Sequence, residues 1–176
     1  MRLFLLTSWL CLYLTWIPHA QAEEATQFHL DATGAIVYCD ITPSFNRKKL
    51  AQSLKTGTPI QFSWHIHIER IRNYWLNKNI ADISFSRQVT PDLLTGQWIL
   101  DDHITQTQRR TYSLNQAIQW LTTVHQFPII DKSLLEAPNS YLISVSLDMM
   151  SDQNIAWWQD VFHLDHNISN SILNLP

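Results

Sequence analysis

The chain has 176 residues, with 12 basic and 15 acidic side chains and a formal net charge of −3. This mildly negative balance, which includes no long run of like charges, argues against a nucleic-acid-binding protein and against a polybasic membrane-binding protein. Only three glycines are present and they lie far apart, so the glycine-rich loops that bind nucleotide phosphates are excluded.

The N-terminus has the pattern of a secretory signal peptide. Arg2 precedes an apolar run over residues 3–17, and Ala-Gln-Ala at residues 20–22 is a small-residue cleavage site. The run is shorter than the roughly 20 residues of a membrane-spanning helix, which favours cleavage over an uncleaved anchor. We therefore expect a signal peptide over residues 1–22, export to the periplasm, and a single β-rich domain over residues 23–176.

The first predicted elements of this domain are two β-like stretches, residues 28–30 and 35–42, which a glycine-containing turn joins into a hairpin. Cys39 shares one face of the second stretch with Val37 and Ile41. It is the one cysteine left after the predicted cleavage, so no intramolecular disulfide can form. We interpret Cys39 as a small buried core residue rather than a reactive thiol.

A short helix that ends near Leu54 and is capped by Ser44 or Asn46 is predicted next. Residues 60–68 then alternate strictly between apolar and polar side chains. This two-residue period is typical of an antiparallel strand with one buried and one exposed face. It is the most regular pattern in the chain.

A second period-two stretch covers residues 81–89, where Arg87 is the single polar residue on the apolar face. A short strand is predicted at residues 97–100. Residues 101–111 are polar and lack periodicity, which predicts a loop.

The clearest helix begins at Ser113, which can form a capping box with Gln116, and Pro128 limits its extension. A loop through Pro138 and a long strand over residues 141–149 follow, and the tail is ambiguous between a helical turn and an edge strand. Together these elements predict a mainly β (all-β or α+β) fold, an antiparallel β-sandwich-like domain of about six strands with two short helices.

Several short segments occur in a recognisable order: Cys39-Asp40 at a strand end, LKTGTPI at 54–60, ERIRNYW at 69–75, YSLNQA at 112–117 and YLISVSLD at 141–148. This series resembles the bacterial family catalogued as domain of unknown function 4390, a group of exported proteins. The resemblance implies no assigned activity, cofactor or catalytic residue. It implies an envelope partner, because the genes of family members often lie beside that of a membrane sensor kinase of the nitrogen-regulation type. The chain departs from the family pattern at Met149-Met150-Ser151 and in its tail.

One candidate site is a row of three polar residues, His65, His67 and Glu69, on the polar face of the strand over residues 60–68. Alternate strand residues project to the same side about 7 Å apart at their α-carbons, so the two imidazoles could converge on one metal, with Glu69 as third ligand. Zinc suits this set, and an open fourth position would make a metal-dependent hydrolase. The preferred interpretation is a solvated strand face that needs no ligand.

A second candidate site is the basic and aromatic cluster Arg70, Arg72, Tyr74 and Trp75. Arginine and large aromatic residues are enriched at the energetic hot spots of protein interfaces. Alternatively, Trp75 packs at the end of the core while the arginines pair with acids such as Asp82 or Glu69.

The preferred function is a non-enzymatic periplasmic binding or accessory module that needs no cofactor. Its expected partner is an envelope or inner-membrane protein, with the basic and aromatic cluster as the binding surface. The alternative is the zinc-dependent hydrolase described above. Neither nucleic acid nor nucleotide is an expected ligand.

Overall fold

A computed structural model describes residues 27–151 and 167–175. In this part the chain forms nine strands, β1 (Gln27–Asp31), β2 (Ile36–Thr42), β3 (Ile60–Arg70), β4 (Lys78–Asp92), β5 (Gln97–Asp102), β6 (Thr107–Thr111), β7 (Val124–Asp131), β8 (Ser140–Ser151) and β9 (Asn167–Asn174). It also forms the helices α1 (Arg47–Lys55) and α2 (Leu114–Thr122), and a 3-10 turn at Lys132–Leu134. The predicted signal peptide and most of the tail lie outside the described residues, so those predictions stay untested.

The strands form two antiparallel sheets. The small sheet has the order β1-β2-β7 and the large sheet the order β6-β5-β4-β3-β8-β9. The predicted mainly β, sandwich-like fold with two α-helices is therefore confirmed, although the described residues contain nine strands rather than about six. No helix in this part of the chain combines the length and the apolar character needed to cross a membrane.

Strand β3 lies in the interior of the large sheet and carries the alternation seen in the sequence. Its apolar side chains are fully buried on the inner face: Ile60, Phe62, Trp64, Ile66 and Ile68. Strand β8 pairs with β3 over its whole length and contributes a second buried row, Tyr141, Ile143, Val145 and Leu147. Two adjacent strands with matched apolar rows make one continuous core face.

The small sheet closes the core from the other side. Phe85 of the large sheet stacks on Phe127 of the small sheet, with ring centres 4.3 Å apart, and also stacks on Trp64 at 6.2 Å. Cys39 lies in this core and is 1% exposed. Burial raises the pKa of its thiol to about 12, which confirms the interpretation of Cys39 as a core residue.

Both predicted helices form, with differences at their ends. Asn46 caps α1, its side chain accepting the backbone N–H of Lys49 at 3.1 Å. Ser113 caps α2 by accepting the backbone N–H of Gln116 at 3.3 Å. The Gln116 side chain does not complete the predicted capping box, because it accepts the hydroxyl of Thr111 at 2.7 Å instead.

Two segments predicted as loops are strands. Residues 101–111 hold the end of β5 and all of β6, whose first four residues are exposed. Because this edge strand has no buried face, it shows no apolar alternation, and pairing with β5 forms it. Strand β7 also lacks a regular alternation of buried and exposed residues. The neighbours Ile129 and Ile130 are both buried, and the positive φ of 45° at Gln126 interrupts the extended backbone.

Candidate functional site

The first candidate site lies on the outer face of the large sheet, where β3 has strands on both sides. His65 is opposite Ser84 on β4 and Ser146 on β8, and His67 is opposite Asp82 and Ser144. Shallow concavities of 390 Å³ and 340 Å³ lie on either side of His65. The face is open and polar, as the alternation predicted.

His67 lies between two carboxylates. Its Nε2 atom is 3.1 Å from Oε1 of Glu69, and its Nδ1 atom contacts the carboxylate of Asp82. Contacts from both ring nitrogens favour the doubly protonated imidazolium, and they raise the pKa of His67, Asp82 contributing most.

The two carboxylates are held in turn by amides from the start of β4 and the loop before it. Asn79 donates to Asp82 at 2.6 Å, and Asn77 donates to Glu69 at 3.0 Å. These amides, followed by His67, lower the pKa of both carboxyl groups. These contacts form a charged network that links β3 to β4.

His65 does not join this network. Its Nε2 atom is 3.2 Å from Oδ2 of Asp148 on β8. The two imidazoles that were predicted as a zinc pair, with Glu69 as third ligand, are therefore engaged by different carboxylates. Within the described ranges, no group of three or more His, Cys, Asp or Glu residues is placed to hold a metal ion. The zinc site stays a prediction, and it would require His67 to leave one or both carboxylates.

The second candidate site is the loop that joins β3 to β4, residues 71–77, together with Arg70 at the end of β3. We call this segment the β3–β4 loop. Three consecutive side chains of this loop are almost fully in solvent, with Tyr74 93%, Trp75 80% and Leu76 91% exposed. Trp75 therefore does not pack at the end of the core, which was the structural alternative considered for it.

Arg70 behaves differently from the rest of the cluster. Its side chain is 16% exposed and forms an ion pair with Glu136, a residue of the β7–β8 connection, rather than with Asp82 or Glu69. Arg72 lies in the loop itself and is exposed. The structure thus places all four predicted residues at one end of the sheet but gives Arg70 a structural contact.

Glu136, which the sequence interpretation missed, is fixed by a buried tyrosine. The hydroxyl of Tyr141 accepts the backbone N–H of Glu136 at 2.8 Å and donates to its carbonyl at 3.0 Å. Asn139 also donates to this carbonyl, at 2.8 Å. A tyrosine on the apolar face of a strand was the available signal, because a buried phenol usually finds a hydrogen-bond partner.

The β3–β4 loop and the β7–β8 connection enclose a concavity of 660 Å³, the largest of the three described on this molecule. Its lining includes Arg70, Arg72, Tyr74, Trp75, Glu136 and Asn139. It combines cationic, aromatic and amide groups, which are the groups that bind polar and aromatic side chains of a partner. This end of the sheet is the better candidate for recognition.

Comparison with known proteins gives one finding. A family model described as Domain of unknown function (DUF4390) matches residues 20–159, which is most of the chain. Neither a curated protein nor a solved structure matches.

Proposed function

The chain belongs to the family described as domain of unknown function 4390, and from this premise we propose that it is a non-enzymatic binding or accessory module of the bacterial cell envelope. The family assignment agrees with the resemblance seen in the sequence. Residues 1–22 supply the export signal in this proposal, so that the module acts in the periplasm. Its binding surface is the β3–β4 loop.

The exposure of Tyr74 and Trp75 in this loop is the observation that supports the proposal. Two neighbouring aromatic side chains in water leave a large apolar area unburied, and proteins retain such patches chiefly where a partner covers them. Tryptophan, tyrosine and arginine are also the residue types that contribute most to binding at interfaces. The partner in this proposal is an envelope or inner-membrane protein, and a membrane sensor kinase is the candidate that the family resemblance implies.

Arg70 and Arg72 have separate roles in this surface. The ion pair of Arg70 with Glu136 holds the base of the loop against the β7–β8 connection. Arg72 is exposed beside the aromatic pair and can bind an acidic or carbonyl group of the partner. The non-enzymatic part of the proposal is supported by the histidines of β3, which are engaged by neighbouring carboxylates on an open sheet face.

Site-specific photocrosslinking in the exporting cell tests this proposal. A photoreactive amino acid replaces Trp75 in one strain and Leu94 in another. Leu94 is a matched control because it is 98% exposed and lies in the β4–β5 turn, at the far end of the same sheet. We expect an envelope protein to be crosslinked from position 75 and not from position 94.

Arginine variants test whether positive charge in the loop contributes to partner binding. Arg72→Ala should weaken the crosslink from position 75. Arg109→Ala, which replaces another exposed arginine, on β6, should leave it unchanged. If no envelope protein is recovered from position 75, or if the two positions give the same products, the proposed binding surface is wrong.

A further inference from the structure

We propose that the apex of the β3–β4 loop, Tyr74-Trp75-Leu76, inserts into the interface of an anionic lipid bilayer and holds the module at the membrane surface. This inference rests on the proposed function, because it names the surface against which the binding loop works. It concerns the three apex side chains, of which Tyr74 and Trp75 also border the concavity. The part of the concavity formed by Arg70, Glu136 and Asn139 remains the surface for a protein partner.

The exposure and the residue types of the apex fit a lipid surface. Tyr74, Trp75 and Leu76 are consecutive, and each is at least 80% exposed, so together they present a continuous apolar surface at the end of the hairpin. No other run of three consecutive large apolar residues is this exposed in the described ranges. Tryptophan and tyrosine are the residues enriched where proteins meet the interface of a bilayer, because each ring has an apolar body and a polar edge.

The charge around the apex is complementary to anionic headgroups. Arg72 and Lys78 flank the three apolar residues and both are exposed. The acidic side chains near this end of the hairpin, Glu69, Asp82 and Glu136, are engaged by His67 and Arg70. Each cation near an anionic surface adds attraction that an apolar contact alone lacks. The chain as a whole is negative, so this attraction is local to the loop and differs from that of a polybasic protein.

The opposite end of the same sheet provides an internal comparison. The β4–β5 turn also exposes two leucines, Leu93 and Leu94. Asp92 begins this turn and accepts the backbone N–H of Leu94 at 3.1 Å. Hydrogen bonds from Thr95 and, less strongly, the nearby Arg110 of the edge strand β6 lower the pKa of this carboxyl group. Two exposed apolar residues thus occur there beside an acidic residue that begins the turn, whereas the apex of the β3–β4 loop has three between two cations.

Vesicle flotation tests the proposal with the full chain as the exporting cell processes it. The probes are vesicles of equal parts phosphatidylethanolamine and phosphatidylglycerol, and vesicles of phosphatidylcholine alone. We expect binding to the anionic vesicles that falls at least about tenfold in a Tyr74→Ser, Trp75→Ser, Leu76→Ser variant, because burial of the apex is lost. Leu94→Ser should bind as the original protein does.

Two further variants separate charge from apolar contact. Arg72→Gln and Lys78→Gln should each weaken anionic-vesicle binding about fivefold. Trp75→Phe should retain binding but lose the quenching of tryptophan fluorescence by bromine-labelled lipid, which reports insertion of that ring. All of these positions are exposed, and thermal unfolding of each variant verifies that the fold is kept.

Three outcomes overturn the proposal: no binding to anionic vesicles, equal binding by the triple Ser variant, or a self-association in solution that the triple variant abolishes. If vesicle binding fails while Trp75 still crosslinks to an envelope protein, the apex is a protein contact and the proposed function stands. If the crosslink fails while vesicles bind, the protein-partner surface is wrong and the lipid contact stands.

Discussion

The guanidinium of Arg87 lies 5.3 Å from the centre of the Trp120 ring, on the inner face of the large sheet. It also donates hydrogen bonds to the carbonyls of Trp120 at 3.0 Å and Thr123 at 2.9 Å. Asp102, on the adjacent strand β5, is 3.7 Å from its Nε atom. Arg87 therefore binds the C-terminal end of helix α2 to the sheet, which explains a polar residue on an otherwise apolar strand face.

Replacing Arg87 should be costly for stability. The Arg87 side chain is 16% exposed and that of Asp102 is 14% exposed. Arg87→Met therefore leaves two carbonyls at the end of α2 without their donor and removes the cation that faces the buried Asp102 carboxylate. We expect the free energy of unfolding to fall by about 3 kcal/mol, measured by urea denaturation. Arg109→Met on the exposed edge strand should change it by less than about 0.5 kcal/mol. Equal effects of the two substitutions would show that Arg87 is not a structural cation.

The carboxylates around His67 predict a defined pH dependence of stability. Because the pKa of His67 is raised above its ordinary 6.5 in the folded protein, its contribution is complete below pH 6.5 and is lost as the pH rises through the folded value. The pKa of Glu69 is lowered from 4.5 and that of Asp82 from 3.8, so their contributions are complete above pH 4.5 and are lost on acidification. The network should stabilise the fold most between pH 4.5 and 6.5.

Urea midpoints of the original protein and of His67→Gln, measured across this range and up to about pH 8, check this prediction. The difference between the two proteins should be largest between pH 4.5 and 6.5 and should shrink at higher pH. An NMR titration of the His67 ring should give a midpoint above 6.5. A difference that does not change with pH would contradict the assigned network.

The sequence was most informative where one face of an element is buried. Strand β3 and strand β8 were predicted because their apolar rows repeat every second residue, and α2 because Ser113 marks its start. Strand β6 could not be predicted in this way, since its exposed residues carry no apolar alternation and backbone pairing alone defines it.

In the candidate site, too, local residue patterns could be predicted from the sequence and contacts between distant residues could not. The exposure of Tyr74 and Trp75 agrees with the local basic and aromatic pattern, which is visible in the sequence. The partner of Arg70 was not visible, because Glu136 is 66 residues away and reaches it only through the sheet topology. The sequence spacing of His65 and His67 suggested convergence on a metal, but their cross-strand neighbours supply separate carboxylates for each ring.

The zinc alternative makes a prediction that differs from the proposed function. With both imidazoles held by carboxylates, we expect the protein purified without a histidine tag to contain less than one zinc per chain by elemental analysis. A His65→Ala, His67→Ala double variant should have the same zinc content. Stoichiometric zinc that the double variant loses would instead support the metal-dependent hydrolase.

Tyr141→Phe should make the β7–β8 connection, which lines the concavity, more mobile without disturbing the core. The ring of Tyr141 is 1% exposed and remains in place as phenylalanine, while the hydroxyl contacts to the backbone N–H and carbonyl of Glu136 are lost. We expect the free energy of unfolding to fall by about 1–2 kcal/mol, and hydrogen exchange to become faster in residues 134–139. Because the backbone of Glu136 then keeps only its contact with Asn139, the ion pair of Glu136 with Arg70 should be less firmly placed, and the crosslink from position 75 should also weaken. Tyr38→Phe on the small sheet is the matched control, and slow exchange retained at residues 134–139 in Tyr141→Phe would show that other contacts hold this connection.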